Sequence, residues 1–149
     1  MRRVMNANRV MTRDVVCIAP ETRLPRAWAI LQKLRVRHLP VTQGGELCGI
    51  LSDRDFLVRG EIQKDGSLEV PDISAALAMT RHPFSCPPGT PVSRIAALML
   101  EHRVDSIPII GLRGQLIGLV TSADLLELLV DPDSEPEALP FAFQIQHAA

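Results

Sequence analysis

Apolar positions along the chain recur with helical spacing in two places. From Thr22 they place Ala27, Ile30, Leu31 and Leu34 on one face, and from Thr90 they place Ile95, Leu98 and Met99 on one face with His102 at its end. Thr22 and Thr90 are suited to cap these helices, and Pro91 sits where a first-turn proline is tolerated. Each helix is followed by a short apolar run holding a proline, Leu39-Pro40-Val41 and Ile107-Pro108-Ile109-Ile110. Proline cannot donate to a strand ladder, so each run is expected at a sheet edge or strand start. Turns follow at Gln43-Gly44-Gly45-Glu46 and Gly111-Leu112-Arg113-Gly114, and second strands at Leu47–Leu51 and Leu116–Val120. A last helix starts at Ser52 and again at Thr121, so the order helix, strand, strand, helix occurs twice.

The residues repeat with the elements. At an offset of 68, Met11-Thr12-Arg13 falls on Met79-Thr80-Arg81, Pro20 on Pro88, Thr22 on Thr90, Arg26 on Arg94, Ala29 on Ala97, Arg35-Val36 on Arg103-Val104 and Pro40 on Pro108. One inserted residue near Gln43 makes the offset 69, and then Gly45 matches Gly114, Leu47 Leu116, Gly49 Gly118 and Asp55 Asp124. Two units are too few for an open solenoid, so they are expected to bury their apolar faces against each other about a pseudo-two-fold axis. The expected organisation is a first repeat over 8–60, a linker over 61–72, a second repeat over 73–130 and a tail over 131–149. The linker region Gly60–Val70 reads as a polar loop, and Ile73–Ala78 as a short helix. The tail carries Pro132, Pro136 and Pro140 among acids and reads as extended, with Phe141, Phe143 and Ile145 available to dock.

Composition narrows the function. The chain has 149 residues, 46% hydrophobic and 22% charged, which suits one folded domain rather than a disordered chain. With aromatics at 3%, the core must be aliphatic. A net charge of −1 leaves no global field for nucleic-acid phosphates; Arg2, Arg3, Arg9 and Arg13 cluster, but no recognition helix accompanies them. No apolar run is long enough to span a membrane, and no secretory h-region follows the first residues. Cys17, Cys48 and Cys86, odd in number and widely spaced, read as thiols of a reducing cytoplasm.

The motif that bears chemistry is Gly49-Ile50-Leu51-Ser52-Asp53-Arg54-Asp55, repeated as Gly118-Leu119-Val120-Thr121-Ser122-Ala123-Asp124. Each has a strand glycine, a hydroxyl at the strand-to-helix turn and a carboxylate three residues on. Alone, that is a helix capping box. The glycine, however, gives room for a group to approach the backbone, the turn offers N–H groups suited to phosphate, and the carboxylate can accept both hydrogens of a vicinal diol. Repeated at equivalent positions, the combination describes a ribose-phosphate seat.

The sequence resembles a tandem pair of CBS (cystathionine-β-synthase) domains, a Bateman module, over about residues 8–130. The resemblance is carried by Met-Thr at Met11 and Met79, by Arg-Val-x-x-h-Pro at Arg35 and Arg103, and by G-h-x-[ST]-x-x-D at Gly49 and Gly118. It implies a mixed α/β (α+β) fold of two β-α-β-β-α units packed sheet to sheet, two clefts for adenosyl ligands (AMP, ADP or ATP, with S-adenosylmethionine or NAD as further candidates), and a regulatory role without resident cofactor. It also implies a homodimer, and an effector protein that the sequence does not identify. Carried over by position, one cleft would use Asp124 for the ribose hydroxyls, Thr121 and Ala123 along sugar and phosphate, Val16 and Val36 around the base, and Arg37 and His38 near the phosphates. The other would use Asp55 for the ribose, Ser52 beside it and Arg54 toward the phosphate, closed by Phe84, Val104, Asp105 and Ser106. Asp105 stands where the first repeat has Arg37, and would repel phosphate unless Arg54 pairs with it, so the Asp124 cleft is the expected preferred site.

Other function classes have less support. No nucleophile–base pair, G-x-S-x-G, P-loop or Rossmann glycine set is present, so no enzyme activity is expected. His82-x-x-x-Cys86, with Cys17, is a conceivable metal or redox site, but no C-x-x-C accompanies it. The principal rival is an interaction module with inactive clefts, dimerising through Leu125, Leu126, Leu128 and Leu129.

Overall fold

The computed structural model describes residues 4–130; the tail expectations, and Arg2 and Arg3, lie outside the described residues. The elements are α1 (Ala7–Val10), α2 (Leu24–Leu34), β1 (His38–Gln43), β2 (Glu46–Ser52), α3 (Asp53–Arg59), β3 (Glu61–Ile62), β4 (Leu68–Glu69), α4 (Ala75–Ala78), β5 (Thr80–Arg81), α5 (Val92–His102), β6 (Ser106–Ile110), β7 (Leu116–Thr121) and α6 (Ser122–Glu127). The fold is mixed α+β. The helix-strand-strand-helix order occurs in each repeat as α2-β1-β2-α3 and α5-β6-β7-α6.

The strand hairpins are built alike. β1 pairs antiparallel with β2 from His38↔Ser52 to Gln43↔Glu46, and β6 with β7 from Ser106↔Thr121 to Ile110↔Leu116. Both registers shift at equivalent places, Val41/Thr42 and Ile109/Ile110. The leading strand of the β-α-β-β-α unit shrinks to one parallel bridge per repeat, Ile18↔Val41 and Cys86↔Ile109. Pro40 and Pro108 lie within β1 and β6 on that sparsely bonded outer side. Each offers only its carbonyl there, to Ile18 N (3.0 Å) and Cys86 N (3.0 Å), so the missing N–H forfeits no ladder bond.

The two repeats exchange their lead-in segments. Thr12 bridges to Leu119, while Thr80 pairs with Ile50. Asn6 bridges to Pro91, while Ser74 bridges to Arg23. Hence α4 packs on the first repeat, with Ala75 and Ala78 in one core beside Leu24, Leu39, Leu51 and Phe56, and α1 packs on the second, with Ala7 and Met11 in another beside Ile95, Ile107, Ile109 and Val120. The hairpin turns also meet, through Leu47 N to Gly114 O (3.1 Å) and Leu116 N to Gly45 O (3.1 Å).

The exchange explains where the helices start. Their N-caps are Arg23 and Pro91, neither with a side-chain cap bond, rather than Thr22 and Thr90. The first-turn proline is Pro25, not Pro91. Backbone from the other repeat does the capping: Leu24 N donates to Ile73 O (2.9 Å) and Val92 N to Met5 O (3.1 Å), while the Thr22 and Thr90 carbonyls accept from Ala75 N (2.7 Å) and Ala7 N (2.9 Å). Three further expectations change. Leu34 is exposed, because α2 buries Leu24, Ala27 and Leu31 instead. The helix read over Ile73–Ala78 is the single turn α4. The polar segment between the repeats holds a small hairpin, β3–β4, closed by Gly66 at φ 84°.

Candidate functional site

The two S/T-x-x-D motifs close as capping boxes at the N-termini of α3 and α6. Asp55 Oδ2 accepts from Ser52 N (2.8 Å) and Ser52 Oγ (3.2 Å). Asp124 Oδ2 accepts from Thr121 N (2.7 Å), and Thr121 Oγ1 accepts from Asp124 N (3.3 Å). Both carboxylates are partly exposed, and among the described residues only Oδ2 of each is engaged. The space over the motif glycines is used by the chain itself, not left for an approaching group. A Cβ on Gly49 would fall against Met79 Sδ, and one on Gly118 against Met11 Sδ. These glycines admit the methionine of the other repeat's lead-in.

Two cavities open between the repeats. One, about 880 Å³, is lined by every residue expected in the Asp55 cleft: Ser52, Arg54, Asp55, Phe84, Val104, Asp105 and Ser106. The other, about 300 Å³, is lined by Val16, Val36, Arg37, His38, Thr121 and Ala123 of the expected Asp124 cleft. Asp124 itself lies one residue beyond that lining. Arg37, His38 and Asp105 line both cavities.

That shared position revises the expected electrostatics. Arg37 and Asp105 are equivalent positions of the repeat, and the pseudo-two-fold brings them face to face. Arg37 Nη2 lies 3.2 Å from Asp105 Oδ2, and its Nε donates to Asp53 Oδ2 at 3.1 Å. The nearly buried His38 places Nε2 2.8 Å from Asp105 Oδ1. Asp105 is therefore ion-paired with Arg37 and hydrogen-bonded with His38, not paired with Arg54. The bond to Asp53 and the nearby carboxylates push the Arg37 guanidinium above its ordinary value, so it stays charged. The backbone follows the same symmetry: Asp53 N donates to Arg37 O and Ser122 N to Asp105 O, each at 2.9 Å.

Several lining residues lie outside the sets expected for the two clefts. Asp14 and Arg35 join the smaller cavity, and Arg81, His82 and Arg103 the larger. Arg35 and Arg103 are pseudo-equivalent left-handed C-caps of α2 and α5, both with φ 53°. Their motif match was the available signal; the other three belong to lead-in segments that reach a cavity only through the exchange. Phe84 stacks on His102 with ring centroids 3.7 Å apart and an interplanar angle of 22°. Cys17, Cys48 and Cys86 are unpaired, and burial pushes the Cys86 thiol up, away from the reactive thiolate. Among the described residues, no three His, Cys, Asp or Glu side chains gather as metal ligands. No described helix is long and apolar enough to cross a membrane.

The geometry agrees with the chain's similarities. The CBS domain family model matches residues 7–60 and 72–131. A CBS domain-containing protein of Dictyostelium discoideum is 31% identical over 130 residues, covering 81% of this chain and 88% of that protein. Inosine-5'-monophosphate dehydrogenase of Korarchaeum cryptofilum is 30% identical over 122 residues, 82% of this chain but 24% of the enzyme. The chain thus spans about a quarter of the length of the dehydrogenases it matches. The crystal structure of CBSX2 in complex with AMP superposes with a TM-score of 0.75 at 23% identity, covering 83% of this chain and 95% of that one. Two family matches in tandem, on two repeats that exchange lead-ins about one axis, make this chain a member of the CBS domain family with a CBS pair as its folded body.

Proposed function

We propose that this CBS pair is a regulatory sensor of adenine nucleotides that acts in the cytosol by binding rather than by catalysis. The observation that carries the reading is the placement of both capping-box turns, Ser52–Asp55 and Thr121–Asp124, beside cavities walled by both repeats. The unengaged carboxylate oxygens of Asp55 and Asp124 would accept the ribose hydroxyls. Val16 and Val36 would flank a base in the smaller cavity, and Phe84 and Val104 in the larger. The AMP named with CBSX2 supports this ligand class. A ligand touching both repeats shifts their arrangement only by its differential affinity for the arrangements available, and the altered surface would then favour or release an effector protein.

A thermal-shift and calorimetric panel of AMP, ADP, ATP, S-adenosylmethionine and NAD tests it. A nucleotide at 100 times its Kd is expected to add about 2.7 kcal/mol, and Asp55→Asn and Asp124→Asn each to lose part of that effect. Full retention in both variants would refute the site assignment. A second reading, an interaction module with inactive clefts, is favoured by the exposure of Leu126 and Leu129 (62% and 81%) past the core-packed Leu125. It predicts self-association, seen by light scattering, and no nucleotide heat.

A further inference from the structure

The two cavities are pseudo-equivalent but differently charged. Resting on the reading that nucleotides enter them, we propose that the Asp55 cavity takes a nucleoside polyphosphate, with Arg54, Arg81 and Arg103 distinguishing it from a monophosphate, and that the Asp124 cavity does not. Asp105 weighs less against phosphate there, since Arg37 pairs with it and His38 is hydrogen-bonded to it. Arg54, Arg81 and Arg103 all line this cavity and make no salt bridge or side-chain hydrogen bond to another described residue. Three guanidiniums free of ion pairs, together with Arg37, outnumber Asp53, Asp55 and Asp105 around this opening and leave it net positive toward the three or four negative charges of a di- or triphosphate, each guanidinium able to fork onto phosphate oxygens.

The equivalent positions lack this character. Arg54 corresponds to Ala123, and His82 to Asp14. Arg81 corresponds to Arg13, whose Nη2 is spent on Asn8 O (2.9 Å) and Asn8 Oδ1 (2.8 Å). Of the three arginines' equivalents only Arg35 brings a charge to the smaller cavity, where it and the shared Arg37 stand against Asp14 and the shared Asp105, with no net positive charge. Size agrees: about 880 Å³ against about 300 Å³. The larger cavity also has a platform for the base. Phe84, half exposed, is stacked on His102, where the smaller cavity's counterparts are the aliphatic Val16 and Leu34.

Titration calorimetry of the full chain with ATP and with AMP, in EDTA and at two salt concentrations, tests the assignment. Wild type is expected to bind ATP at least about tenfold tighter than AMP, at a site lost in Asp55→Asn. The triple variant Arg54→Gln/Arg81→Gln/Arg103→Gln, substituted only at exposed positions and checked for its circular dichroism, is expected to lose ATP affinity by about 100-fold and most of its salt dependence, and AMP affinity by at least about tenfold less than that, since Arg54 also faces the first phosphate. Equal wild-type affinity for ATP and AMP, equal losses for both in the triple variant, or an ATP preference surviving in Asp55→Asn would overturn the inference while leaving a nucleotide sensor. Absence of heat with either nucleotide would overturn the sensor reading and this inference with it.

Discussion

At the scale of single residues, the motif glycines serve the packing of the two repeats. Met79 lies over Gly49 and Met11 over Gly118, with Thr80 O and Thr12 O each 3.0 Å from the position a Cβ would take. The methionine side chain lies closer still, and the bridged lead-in that carries it limits how far it can move aside. Gly49→Ala is therefore expected to destabilise by about 1–3 kcal/mol, the cost of overpacking. A double-mutant cycle with Met79→Ala in urea should show the pair to be less destabilised than the sum of its singles; simple additivity would place the strain elsewhere. Asp55 and Asp124 likewise have a structural task beside any ligand. Asp124→Asn weakens the acceptor for Thr121 N and should cost about 0.5–1 kcal/mol without any ligand. Binding to these variants is therefore read as affinity, separately from the lowered melting point.

At the scale of elements, the exchanged lead-ins carry the join. Arg23 Nε donates to Asp72 Oδ1 at 2.8 Å, and its Nη2 to Asp72 O, beside the Arg23↔Ser74 bridge. The Arg23 bond and charge hold the Asp72 carboxyl below its ordinary value. A carboxyl with a depressed folded value contributes stability above its unfolded pKa of about 3.9 and loses it as pH falls through the folded value. Arg23→Met should thus lower the urea midpoint at pH 7, with the difference from wild type shrinking below about pH 4. Both groups are well exposed, so the effect is small and salt-sensitive. A difference that stays constant down to pH 2 would assign the loss to packing. The helices and hairpins were legible in the sequence because each buries one face, and burial leaves a period. The exchange was not, since Arg23↔Ser74 and Asn6↔Pro91 are backbone pairs with no side-chain pattern. For the same reason Asp14, Arg81 and His82 escaped the motif reading. The ion pair of Asp105 became visible only once the axis set Arg37 opposite it.

At the scale of the molecule, the exchange sets what can unfold alone. The core around Leu24, Leu39, Leu51 and Phe56 is incomplete without Ala75 and Ala78, and the core around Ile95, Ile107 and Val120 is incomplete without Ala7 and Met11. Releasing either lead-in opens both a core and a cavity wall, so the repeats should melt as one cooperative unit. Trp28 is the chain's single tryptophan and packs on Phe56 with ring centroids 5.2 Å apart, so its fluorescence reports the first core only, while far-UV circular dichroism reports both. The two urea transitions are expected to coincide, and a fragment ending at residue 70, stripped of α4, to be unfolded where the whole chain is folded. Separate midpoints would mean that each repeat holds itself together. A ligand between the repeats would then have no shared equilibrium to shift, because coupling between the cavities requires that both draw on the same structural transition.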